Sequence, residues 1–150
     1  MIYMGIDPGK SGALAAIDQD GKIISLCSFD EENYRSAMLH IIKSGGDDGI
    51  RCCLEKVSAM PKQGVTSMFN FGTNFGWIQG MLFSFFISYQ LVTPKKWKAA
   101  FSLNAQKADS VKTCKKLFPD ANLRRTERCT VDHDGMAEAL LMAEYARRYF

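Results

Sequence analysis

The chain contains no run of about 18 consecutive apolar residues, which predicts that nothing in it spans a membrane. It also lacks a basic leader followed by a cleavage site, so a cytoplasmic protein is expected. Its five cysteines, Cys27, Cys52, Cys53, Cys114 and Cys129, are odd in number and include no Cys-x-x-Cys, which argues against a disulfide framework and a zinc site and for reduced core thiols. Cys129 and His133 offer only two donors, too few for a metal centre. No internal repeat or low-complexity segment occurs, which excludes solenoids and disordered arrays.

What remains is a chain of 150 residues, 47% of them apolar, sized for a single domain spanning residues 1–150 with a real core. The net charge is only +3, but Leu91 to Arg128 carries ten Lys and Arg against Asp109, Asp120 and Glu127. That asymmetry suggests a polyanionic partner, although a solvated basic face has the same signature.

Met1 to Ile24 organises the rest. Ile2, Met4 and Ile6 alternate with Tyr3, Gly5 and Asp7, the period of a strand, and Pro8-Gly9 ends it, so a carboxylate closes the first strand. Gly12 to Ile17 and Lys22 to Phe29 continue as an antiparallel meander. An acid at a strand tip beside a glycine turn can hold a hard cation near a phosphate, or can merely cap the turn. Gly9-Lys10-Ser11 imitates the end of a phosphate-binding loop, but the first glycine of that motif would fall on Met4 and the turn opens a strand rather than a helix.

Glu31 to Lys43 has helical spacing and stops at Ser44-Gly45-Gly46. Ile50 to Val57 reads as a buried strand carrying Glu55, an acid costly to bury without a partner. Arg51 shares its face while Lys56 points away, so an ion pair is one such partner and a metal another. Ser58 to Phe71 is expected to be a loop unusually rich in apolar residues, followed by a helix from Gly72 to Phe86. On that helix Gly72, Gly76 and Gly80 line one face, which implies close packing there. Ser88 to Val92 is a further strand, and Ala108 to Phe118 a basic helix with Val111, Cys114, Leu117 and Phe118 turned inward. Asp132 to Phe150 is the last helix, capped by Asp132 or His133. Asp134 and Glu138 stand one turn apart on it, and such like charges repel unless a cation lies between them.

Asp7, Glu55, Asp134 and Glu138, in this order along a meander, a strand and a terminal helix, resemble the acids of the ribonuclease H-like nucleases, and within them the RuvC-type Holliday junction resolvases. The segments IDPGKSGALA, CLEKV, FNFGTNFGWIQGML and DGMAEALLMA carry the resemblance across the whole chain, and the wording of Asn70 to Met81 and Asp134 to Tyr145 is closest to the small resolvases of bacteriophages. The resemblance implies an α/β fold with a mixed sheet flanked by helices. It further implies a crossover junction endonuclease holding two Mg²⁺ or Mn²⁺ ions per site on those four acids and located in the cytoplasm of a host cell. Lys98 and Lys107 fall where such enzymes place basic residues near the scissile phosphate. Lys96, Lys98, Lys107, Lys112, Arg124 and Arg125 are the expected DNA contacts. The substrate would be branched DNA, a four-way junction above all and with it three-way and flap forms. Opposed cuts imply a homodimer, for which Gly72, Phe75, Gly76, Gly80 and Phe83, beside Trp77, form the candidate interface.

Two departures stand out. The last acid is Glu138 where the family more often has Asp, four residues after Asp134 as in fungal mitochondrial relatives rather than three. Ser58 occupies the place of the bacterial aromatic wedge in a somewhat longer loop, leaving Met60, Phe69 or Phe71 to open the junction. Two other readings fit parts of the pattern. An actin-like or sugar-kinase-like ATPase fragment shares the opening meander but normally needs two domains. A non-cleaving junction-binding protein would not require four intact acids.

Overall fold

The computed structural model describes residues 1–45, 49–58, 64–104 and 107–150, with the side chain of residue 107 excepted. Strands β1 (Ile2–Asp7), β2 (Ala13–Asp18) and β3 (Ile23–Ser28) form the expected meander, followed by α1 (Glu31–Ser44), β4 (Ile50–Glu55), α2 (Val65–Ser84) and β5 (Ser88–Val92). Three further helices complete the chain: α3 (Pro94–Ala100), α4 (Lys107–Leu117) and α5 (Asp134–Tyr149). The sheet order is β3-β2-β1-β4-β5, antiparallel within the meander and parallel where β4 joins β1 and β5 joins β4. This is the mixed sheet of the ribonuclease H-like class. Among the described residues no helix is long and apolar enough to cross a membrane.

The alternation in β1 sorts the core into two layers. Ile2, Met4 and Ile6 pack with Tyr34, Met38 and Ile41 of α1 and Ile78 and Leu82 of α2. On the opposite face lies α5, in which every residue from Gly135 to Ala146 is buried. A helix apolar nearly all round belongs between layers, and its Ala, Leu and Met composition suits both the burial and the helix.

Gly5 sets how closely that helix approaches. A β-carbon there would fall 2.1 Å from Ala139 O and 2.3 Å from Ala143 N, both main-chain atoms that cannot turn aside. Gly5→Ala is therefore expected to lift α5 from β1 and cost at least ~3 kcal/mol, the upper end of overpacking penalties. Urea unfolding measures it, and an unchanged midpoint would contradict the packing described.

Three expectations require correction. The segment expected to be a loop up to Phe71 is helical from Val65 onward, so Phe69 and Phe71 stand on α2. Val65, Met68, Phe71, Phe75, Ile78 and Leu82 recur at three- and four-residue intervals, a helical period partly masked by the intervening Thr, Asn and Gly. The glycine face is open within one chain, since β-carbons at Gly72, Gly76 and Gly80 would meet nothing within 4 Å, but Phe75 does not share that open side. Phe75 and Trp77 turn inward against the α1 layer instead, while Phe69 and Phe83 are 74% and 79% exposed. Leu117 is exposed, because Cys114 and Phe118 alone close the inner face at the end of α4. In addition, Pro94 to Ala100 forms a helix; Thr93 caps it and Pro94 starts it.

Candidate active site

Register brings the first two acids together. Ile6 pairs with Leu54 across parallel β1 and β4, so the next residues, Asp7 and Glu55, finish their strands side by side. Leu54 enters the α1/α2 layer and Cys53 the α5 layer, which puts Glu55, like Asp7, on the α5 side. Gly135 lets α5 begin against Asp7: a β-carbon there would lie 3.1 Å from Asp7 Oδ2 and 2.4 Å from Ser11 O. His133 caps the helix, its Nδ1 accepting from the Met136 N–H at 3.2 Å.

Glu138 follows one turn later and is buried. Its Oε1 accepts from Ser110 Oγ at 3.0 Å and is paired with Lys98 Nζ at 2.9 Å. Next to Lys98, Trp97 donates its indole N–H to Glu55 Oε1 at 2.8 Å. Two consecutive residues of α3 thus hold an acid from β4 and an acid from α5. Burial pushes the Glu55 carboxyl above its usual range; the indole bond offsets part of that, Glu138 adds to it and Lys98 reduces it. Neither Arg51 nor Lys56 is the partner of Glu55, and Trp97 and Ser110 were not recognisable from sequence. An indole in the sequence gives no sign of the carboxylate it meets across the sheet.

The remaining candidates lie in several places. Lys96 is exposed on α3 and Lys112 on α4. Arg124 and Arg125 lie at the other sheet edge, lining a hollow with Ser25 of β3 and His40 of α1. Asp132 pairs with Lys115 of α4. Lys107 begins α4 with only its backbone described, and Met60 lies outside the described residues.

Among the described residues no three Asp, Glu, His or Cys side chains form a ready ligand set, so the four acids are not gathered as one cage. The donors nevertheless suit a hard divalent cation: all are carboxylates, α5 closes on Asp7 through Gly135, and Glu138 already binds a cation, the Lys98 ammonium.

No protein-family model and no curated protein sequence matches the chain. Solved structures do. Thermus thermophilus RuvC in complex with a Holliday junction substrate is similar at a TM-score of 0.62 and 16% identity, over 99% of this chain and 96% of that one. A second structure of Thermus thermophilus RuvC gives a TM-score of 0.59 and 18% identity over the same shares. The chain has the ribonuclease H-like fold of RuvC.

Proposed function

We propose that the chain is a metal-dependent, structure-selective endodeoxyribonuclease that resolves four-way DNA junctions by paired hydrolysis leaving 5′-phosphates. The observation that carries this reading is that Asp7 and Glu55 end adjacent strands of a RuvC-like sheet on the face where α5 begins, with Lys98 paired to Glu138 of that helix. Asp7, Glu55, Asp134 and Glu138 would hold Mg²⁺ or Mn²⁺, two ions per site, which supply activated water and charge neutralisation at the scissile phosphate. Lys98 and Lys107 would neutralise phosphoryl oxygens, while Lys96, Lys112, Arg124 and Arg125 would hold flanking phosphates. Phe69, exposed near the start of α2, is the aromatic suited to enter the branch point. Two opposed cuts require two sites, and we assign the homodimer contact to the outward glycine face of α2.

The direct test is cleavage of synthetic four-way, three-way, flap and duplex DNA with Mg²⁺, Mn²⁺ or EDTA. Symmetric nicks near the branch, lost in EDTA, are expected. Junction binding without any cut would support the non-cleaving reading instead.

Trp97 gives a sharper result. Trp97→Phe keeps a ring in the core and removes one N–H from Glu55, so Mn²⁺ affinity measured by calorimetry should fall about tenfold, as for losses behind a metal ligand. The rate of cleavage at saturating junction should drop while KM for DNA stays within about twofold. Unchanged Mn²⁺ affinity would reduce the indole to packing.

A further inference from the structure

On the far side of the β1–β2 turn from the carboxylates lies a cavity of about 510 Å³, which the proposed chemistry does not use. Its walls include Phe29, Phe71 and Trp77, with Lys10, Asn70 and Asn74 among the polar residues. Its size falls within the roughly 300–1,000 Å³ of small-ligand sites, and its lining sets three aromatic rings among six polar residues, the acid Glu31 included.

The floor is rigid. Phe29 meets Tyr34 edge-on with centroids 5.2 Å apart and Trp77 at 6.1 Å, so these rings brace one another. Asn74 ties the cavity to the turn: its Oδ1 accepts from the Gly9 N–H at 2.7 Å, and its buried Nδ2 has no partner among the described residues. The Phe71 ring presses on the same turn, 2.9 Å from where a Gly9 β-carbon would be. Lys10, the exposed lysine of the Gly9-Lys10-Ser11 sequence, stands beside the opening three residues after Asp7.

We infer that this cavity receives one unstacked nucleobase of a branched DNA strand, a proposal that rests on the junction-nuclease reading. A base face suits the aromatic walls, amide edges such as Asn70 suit the donors and acceptors of its rim, and Lys10 suits the adjoining phosphate. Bases in duplex DNA are stacked and paired and enter only at the cost of extrusion, whereas a branch point offers bases that are already loosened. The cavity therefore favours branched over linear DNA and leaves base identity a secondary matter. Its position ties this selection to the Asp7 end of the sheet through the four-residue path Asp7-Pro8-Gly9-Lys10.

The experiment is a coupling cycle between protein and DNA. Affinities of wild type, Phe71→Ala and Asn70→Ala are measured in Ca²⁺ for a four-way junction and for junctions with one abasic nucleotide at each branch-point position. Wild type should lose about five- to tenfold at one position, the scale of one base–aromatic stack. Phe71→Ala should bind the intact junction correspondingly more weakly and show no further loss at that position. Asn70, exposed at the rim, gives a second variant that cannot disturb the core, and it should show the same coupling more weakly. Losses that simply multiply, or no abasic effect at all, would overturn the cavity assignment while leaving the nuclease reading intact. No preference of wild type for junction over duplex would overturn the reading beneath it. Quenching of tryptophan fluorescence by free deoxynucleoside monophosphates at micromolar concentration, with no abasic effect, would make this a small-molecule site and end the strand-base proposal.

Discussion

Asp7→Asn, Glu55→Gln, Asp134→Asn and Glu138→Gln are each expected to lower junction cleavage by at least ~10³-fold while leaving junction affinity within about twofold, because each removes a charge from the proposed metal site without altering its shape. Double variants should lose little more than single ones, since groups acting as a unit are not additive. The four differ in stability, and the structure says how. Glu55 is an acid whose pKa burial raises, so its ionised form opposes folding at neutral pH, and the opposition fades as pH falls through the raised value. Glu55→Gln keeps an oxygen for the Trp97 indole and removes that opposition. Its melting temperature should equal or exceed wild type at pH 7, with the difference shrinking toward acid. Glu138→Gln does the reverse: it strands the Lys98 ammonium, whose side chain is only 20% exposed, and should cost roughly 3 kcal/mol. Quench-flow cleavage and thermal melts across pH read both effects. Full activity in the Asp7, Glu55 or Asp134 variant would sink the assignment of the site.

The same pair of acids marks how far the sequence can be read. Alternation in Ile2 to Asp7 is visible in the sequence, and Ile50 to Val57 reads as a strand from its short apolar character; in either strand a period of two leaves only two faces for the carboxylate. The parallel register that aligns Ile6 with Leu54 was not visible, since pairing partners far apart in the chain leave no local trace. Helix α5 is plain from its composition, and Gly135 stands in its first turn, where helix propensity alone would not place a glycine. Its reason, the approach of Asp7 and Ser11, exists only in the folded chain. The start of α2 was missed by seven residues because glycine, threonine and asparagine between the apolar positions weaken local propensity, while burial of Ile78 and Leu82 on the sheet overrides it. Trp97 shows the limit most clearly. Its burial was guessable, its hydrogen bond to Glu55 was not.

Gly76→Leu should turn a two-fold dimer into a folded monomer that nicks junctions without cutting both strands in concert. Three glycines along Gly72, Gly76 and Gly80 weaken an isolated helix by about 1 kcal/mol each relative to alanine, and no atom of the described chain comes close enough to require them. Phe83, 79% exposed, lies on the same side of α2. A flat strip beside an exposed ring is costly to leave in water, and a second copy crossing it by two-fold symmetry would bury both strips while bringing the main chains close. Phe75 is not part of that surface, since its ring packs on the α1 layer, so Phe75→Ala should lower stability without selectively affecting association. Leucine at position 76 has open space around it within one chain and is therefore expected to leave the monomer's melting temperature within a few degrees of wild type, or raise it through better helix propensity. Light scattering at tens of micromolar, with and without junction DNA, separates the outcomes. A Gly76→Leu protein that still dimerises and still makes coincident opposed cuts would require the contact to lie elsewhere. Loss of the dimer with retention of single nicks would fix α2 as the seam across which two active sites face one junction.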